Sequence, residues 1–267
     1  MLNKSHRTSQ VIFLITALLL FVAGLVWLRR MAYPQQIVLP VEAPFPVPSG
    51  ERHSYTTNFS ATEQPLSDRG KWITGRASGL DWADVRTGVG LAYGTESGKN
   101  VGDAAYDDST ALLTGTWGAD QTVEAEVRSI RPNDEDFEEV ELRLRSSLAS
   151  HSSTGYEVLF RCSKSNNAYA SIVRWDGRLG MFTYLSQKKG PDSGVADGDL
   201  VKATAVGNVI TGYINGVQVI QAIDNTYGSG NPGMGFWFRK SSSKKFWRGK
   251  SAGVDTDCGF RRFAAWD

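Results

Sequence analysis

From Glu138 to Asp224 short segments alternate apolar and polar residues, and the run closes on Tyr213-Ile214-Asn215-Gly216-Val217-Gln218-Val219. Asn-Gly between two alternating runs marks a tight hairpin, because both central residues of that turn take positive φ and these two residue types tolerate it best. The pattern confines the chain to antiparallel β structure. It predicts strands over 54–59, 72–74, 89–92, 110–113, 121–130, 137–145, 155–162, 168–175, 178–185, 200–206, 209–214, 217–222, 233–238 and 259–264. Turn clusters such as Arg131-Pro132-Asn133-Asp134 and Asp176-Gly177 separate them, and no amphipathic helix of useful length intervenes. Many short strands with regular turns indicate an all-β sandwich or barrel.

The N-terminus has a different character. Residues 1–10 form a short polar tail. Val11 to Leu28 is an apolar stretch with Thr16 its only polar residue, followed by Arg29-Arg30. At 1.5 Å per residue such a stretch spans about 27 Å, close to the hydrocarbon thickness of a bilayer. Residues 11–30 therefore read as a transmembrane anchor, with a cleaved signal segment as the alternative. Lys4 and Arg7 before it and the Arg pair after it leave the orientation balanced; we expect the N-terminus inside and the domain outside, periplasmic or at the cell surface. Residues 31–53 carry Pro34, Pro40, Pro44, Pro46 and Pro48, a density that forbids helix and favours an extended spacer, or an arm packed on the domain. Residues 54–267 form one domain. Lys+Arg 29 against Asp+Glu 28 leaves almost no net charge, which argues against a nucleic-acid partner. Cys162 and Cys258 fit no metal-binding spacing; they read as two separate buried thiols, or as a disulfide if the domain is exported.

Several segments carry a resemblance. Phe59 with Pro65-Leu66 and Trp72, Gln121-Thr122-Val123-Glu124-Ala125-Glu126-Val127, Gly155-Tyr156-Glu157-Val158, Ile172-Val173-Arg174-Trp175-Asp176-Gly177, Gly198-Asp199, Ile214-Asn215-Gly216 and Gly233-Met234-Gly235-Phe236 together resemble the concanavalin A-like lectin and glucanase superfamily, which includes laminin-G-like modules. The resemblance spans about residues 55–267. It implies a two-sheet antiparallel jelly-roll sandwich whose concave sheet holds sugar.

Alternation sorts the middle strands onto two faces. Val140, Leu142 and Leu144 point one way; Glu139, Glu141, Arg143 and Arg145 point the other. In the next strand Tyr156, Val158 and Phe160 are apolar-face residues, opposite Glu157, Leu159 and Arg161. A hairpin around 146–154 sets Arg143 against Glu157 and Glu139 against Arg161, pairing opposite charges. Tyr169, Ser171 and Trp175 join them. The expected ligand-binding residues are thus Glu139, Glu141, Arg143, Glu157, Arg161, Tyr169 and Trp175. On such a face rings stack on pyranoses while carboxylates and guanidinium groups bond hydroxyls. A solvated sheet of ordinary ion pairs, or a protein-interaction surface, is the alternative.

A catalytic alternative uses Glu139 and Glu141 as the carboxylate pair of a glycoside hydrolase or lyase. Laminarinase-like members of the superfamily carry Glu-x-Asp-x-x-Glu on one strand, whereas this chain offers Asp134-x-Asp136-x-x-Glu139, with the leading Glu absent. Glu141-Leu142-Arg143 resembles an alginate-lyase groove strand, yet His6, His53 and His151 all fall outside the expected strands, so the general base of that chemistry is missing. Asn100, Asp103, Asp107 and Asp108 form an acidic loop that would suit Ca²⁺, or is simply solvated; no other cofactor is implied. Lys240, Lys244, Lys245, Arg248 and Lys250 surround Phe246 and Trp247 in a basic loop. Trp72, Trp117 and Trp237 read as core.

Overall fold

The computed structural model describes residues 43–45, 52–95, 108–130, 137–178, 180–239 and 256–267. The proposed anchor, most of the spacer, Asn100, Asp103, Asp107, Asp134, Asp136 and the basic loop lie outside them. Among the described residues no helix is long and apolar enough to cross a membrane.

Fifteen strands are described in chain order: β1 (Ser54–Thr57), β2 (Trp72–Thr74), β3 (Arg86–Gly88), β4 (Leu91–Tyr93), β5 (Ser109–Leu113), β6 (Gln121–Ser129), β7 (Phe137–Ala149), β8 (Ser152–Arg161), β9 (Tyr169–Gly177), β10 (Phe182–Lys189), β11 (Leu200–Val206), β12 (Val209–Ile214), β13 (Val217–Ile223), β14 (Asn231–Arg239) and β15 (Cys258–Trp266). One sheet runs β13-β12-β11-β6-β15-β4-β3, with β1 also on β15; the other runs β10-β9-β8-β7-β14-β5-β2. Every pairing is antiparallel. The expected two-sheet all-β sandwich is thus present.

The core lies between the sheets. Val123, Ala125, Val127 and Phe263 from the first meet Val140, Leu142, Val158, Phe160, Ile172 and Phe236 from the second, all in one buried cluster. Each such side chain withdrawn from water contributes about 1.5–3 kcal/mol. The turn that anchored the sequence reading forms as expected: Asn215 has φ 51° and Gly216 φ 79°, and Ile214 pairs with Val217 across it. Asn215 Nδ2 also donates to Asp199 at 2.8 Å.

Four details differ from expectation. β3 escaped notice because Arg-Thr-Gly is too short to show a period. β7 and β8 run on beyond residue 145 because a bulge lies between Leu144 and Ser147; Arg145 turns to φ 48° there and leaves the charged face to bond the Ala119 carbonyl at 2.6 Å. Cys162 and Cys258 are joined in a disulfide, which corrects the reading as two separate thiols. It bridges the sheets, since Cys258 opens β15 and Cys162 follows β8. Residues 43–45 of the expected spacer lie on the domain: Thr56 Oγ1 donates to the Phe45 carbonyl at 3.1 Å, and the Arg262 guanidinium sits 4.4 Å from the Phe45 ring centre.

Candidate functional site

The charged lattice forms in the expected register. Glu139 lies opposite Arg161 and Arg143 opposite Glu157, and Val173 continues the second row onto β9. These residues share the face of the second sheet that points away from the core.

That face is not solvated, as an open lattice would be. The turn before β3 folds over it and buries Leu80 and Trp82 against Leu159, Val173 and Trp175. Trp82 packs edge-on to Trp175 with ring centres 4.5 Å apart. Glu141 and Arg143 are each 1 % exposed, and Glu157 and Arg161 are also buried. The expectation of an outward-facing lattice is therefore corrected. A second apolar layer covers part of it, built from a segment much earlier in the chain.

Burial dictates the electrostatics. Arg143 Nη2 lies 2.6 Å from Glu141 and Nη1 2.8 Å from Glu157, with Asp108 at 3.7 Å and Thr110 Oγ1 at 3.3 Å. Its guanidinium is also 5.5 Å and 5.7 Å from the rings of Trp82 and Trp175. A buried guanidinium is tolerable only with such partners. Burial, reinforced by the nearby Glu157 and Asp108 charges, pushes the Glu141 carboxyl well above its usual range despite Arg143. Gly235 of β14 faces Glu141, and a Cβ there would overlap its carboxylate. Glycine at 235 is what gives that carboxylate room.

Asp108, Glu141 and Glu157 could converge on a metal ion, but the space they enclose is taken by the Arg143 guanidinium. Of the acidic loop suggested for Ca²⁺, Asp108 alone is described, and it faces this arginine.

Beside the buried lattice a cleft of about 140 Å³ opens, lined by Asp108, Phe137, Glu139, Glu157, Leu159, Tyr169, Val173, Trp175, Phe182, Tyr184 and Trp237. Strand order explains its composition. Glu139 and Glu157 come from the central β7 and β8. Rings flank them, with Tyr169, Trp175, Phe182 and Tyr184 from β9 and β10 on one side and Phe137 and Trp237 from β7 and β14 on the other. Trp175, Phe182 and Tyr184 pack in sequence, with centre separations of 5.0 and 5.4 Å, and Phe137 meets Trp237 at 5.7 Å. Tyr184 is 56 % exposed. The Tyr169 hydroxyl donates to Glu139, and Trp175 Nε1 donates to Glu157 at 2.6 Å. Burial holds the Glu139 carboxyl up at about 7; the Tyr169 hydrogen bond and Arg161 offset only part of the rise.

Of the seven residues expected to bind, Glu139, Glu157, Tyr169 and Trp175 line the cleft. Glu141, Arg143 and Arg161 do not: they sit behind it, Arg161 with its guanidinium 4.4 Å from the Phe137 ring centre and 5.7 Å from that of Tyr169. Trp237 lines the cleft and was read as core, whereas Trp72 is core and Trp117 packs against it. The parity of Met234, Phe236 and Phe238 would have placed Trp237 on the opposite face. Phe137 was missed because it opens β7, where period two is short, and Phe182 and Tyr184 because the strand expected over 178–185 instead runs Phe182–Lys189.

No described protein family matches the sequence, and no curated protein is detectably similar to it. Solved structures similar to the chain include a carbohydrate-binding module from Bacillus subtilis (20% identity, 66% of this chain and 97% of that one, TM-score 0.44). They also include an endo-β-galactosidase from Clostridium perfringens that releases GlcNAcα1-4Gal (12% identity, 86% and 64%, TM-score 0.49), and a β-1,3-1,4-glucanase derived from a mouse hindgut metagenome (10% identity, 80% and 98%, TM-score 0.48).

Proposed function

We propose that this chain is a membrane-anchored carbohydrate-binding sandwich whose domain works outside the cytoplasm. One observation carries the binding reading: Glu139 and Glu157 on the central strands of a sheet face are flanked by aromatic rings in a cleft of about 140 Å³, with Tyr184 the exposed ring at its rim. Rings supply stacking surface for the apolar side of a pyranose, and the carboxylates accept its hydroxyl hydrogens. A structural or protein-interaction face would be flat and fully ion-paired, with no ring lining a hollow. The Cys162–Cys258 disulfide supports an oxidising compartment, and the apolar run at 11–28 supports membrane attachment.

Binding without turnover is favoured over hydrolysis through Glu139 and Glu141. Glu141 is absent from the cleft lining and is held on Arg143, so those two carboxylates do not face one substrate.

A glycan array probed with the full chain tests the reading. Reproducible binding that falls at least tenfold in Trp237→Ala, with the folded far-UV spectrum intact, supports it. Silence across the array, or binding indifferent to Trp237, overturns it; release of reducing sugar by the wild type overturns the non-catalytic part alone.

A further inference from the structure

A second hollow opens at the other end of β5 from the cleft. Asp108, at the cleft, precedes that strand, and Thr114, which follows it, lines the hollow. About 20 Å of extended chain separates the two residues. The hollow measures about 520 Å³, and Arg52, His53, Tyr55, Lys71 and Trp117 also wall it. That volume suits a small ligand.

Its charge is basic. Arg52 and Lys71 are exposed on the wall, and no aspartate or glutamate lines it. Neither cation forms an ion pair among the described residues. The carboxylates bonded to lining residues are engaged elsewhere. Asp68 accepts from the Tyr55 hydroxyl at 2.7 Å. Asp267, its side chain 2 % exposed, accepts from the His53 amide at 3.0 Å, meets His53 Nδ1 at 3.0 Å and accepts from the Gly118 amide. Two cations set around one hollow without a counter-charge leave it electrostatically open to an anion.

Rings share the wall with these cations. Lys71 Nζ lies 5.4 Å from the Tyr55 ring centre. The Trp117 ring is 6.1 Å from that of His53, and its Nε1 donates to the Thr114 carbonyl at 3.1 Å, which fixes the ring in place. Guanidinium and ammonium groups bind carboxylate and sulfate oxygens, while ring faces stack on the apolar side of a pyranose. A bilayer surface would call for rings standing clear of the wall, whereas Trp117 is half-buried. We propose that this hollow is a second saccharide site, separate from the cleft, and that it takes a sugar bearing a carboxylate or a sulfate.

Calorimetric titration of the full chain at pH 7 tests this with length-matched oligomers of galacturonic acid, sulfated galactose and galactose, and with inorganic sulfate and glycerol phosphate. At least one acidic oligomer should bind tenfold or more tighter than the galactose oligomer and than either small anion. Raising salt from 50 mM to 500 mM should erode that advantage. Arg52→Gln combined with Lys71→Gln should abolish it; both side chains are exposed, and an unchanged far-UV spectrum confirms the fold. Equal affinity for acidic and neutral oligomers, or a preference that survives the double variant, overturns the site. Inorganic sulfate or glycerol phosphate matching the oligomers overturns the saccharide assignment in favour of a simple anion or a lipid headgroup. Acidic-sugar binding lost in Trp237→Ala would move the ligand to the cleft and overturn the second site alone. Absence of binding to both acidic oligomers overturns it too and leaves the reading of the cleft standing.

Discussion

At the scale of single residues, Arg143 is the group on which the buried lattice depends. Removing it leaves Glu141 and Glu157 buried without their counter-charge, a situation that costs about 3–5 kcal/mol. Arg143→Met should lower the urea midpoint accordingly, while a loss below 1 kcal/mol would show that water enters to solvate the carboxylates. Glu139 predicts a slope with pH. Its folded carboxyl titrates at about 7 against 4.5 ordinarily, so between those values the folded state holds a proton the unfolded chain gives up. Stability is then greatest below pH 4.5 as far as this residue is concerned, and falls as pH rises through 7, by of order 3 kcal/mol. Denaturation of wild type and Glu139→Gln at pH 5 and pH 7.5 checks it: the variant should show a flatter profile, and parallel profiles would refute the assignment. Pairing of these residues was legible in the sequence, since period two puts them on one face and a hairpin around 146–154 sets Arg143 on Glu157. Their burial was not, because Leu80 and Trp82 arrive from a distant turn that carries no period.

At the scale of elements, Asp224 stands just past β13 and ties that strand to the other sheet. It accepts hydrogen bonds from the Tyr156 hydroxyl at 2.6 Å, Arg174 Nη1 at 2.7 Å and the Thr226 amide at 2.8 Å. Burial works against its ionisation, yet these donors outweigh burial and hold the carboxyl down at about 2. Its stabilisation is complete above the ordinary aspartate value and disappears as pH falls towards 2. Asp224→Asn should cost about 1–3 kcal/mol at neutral pH, and the loss should shrink in acid; a deficit independent of pH would point to packing instead. Strand positions were legible here to within a few residues, because alternation and turn residues are local. The bulge at Arg145 was not: it inserts into a strand without altering composition. Trp237 was misplaced for a related reason, since an aromatic near a strand end resembles a core residue until its neighbours' parity is counted.

At the scale of the whole molecule, the disulfide closes a loop spanning 96 residues of sequence separation. In the chain-entropy view such a loop stabilises the fold by about 4–5 kcal/mol. Reduction with thiol should lower the melting temperature by several degrees and leave the spectrum native at room temperature; an unchanged melting curve would show that packing alone joins the layers. Sequence could not decide this link, because partners so far apart meet only once both sheets are assembled.

The same cross-link has a mechanical corollary. A pull on the chain at residue 52 enters through β1, whose four residues pair with β15 and, among the described strands, with no other. From β15 the tension has a covalent route through Cys258 and Cys162 to the end of β8, the strand that carries Glu157. Force applied across the two sheets would thus meet sulfur rather than shear one layer off the other.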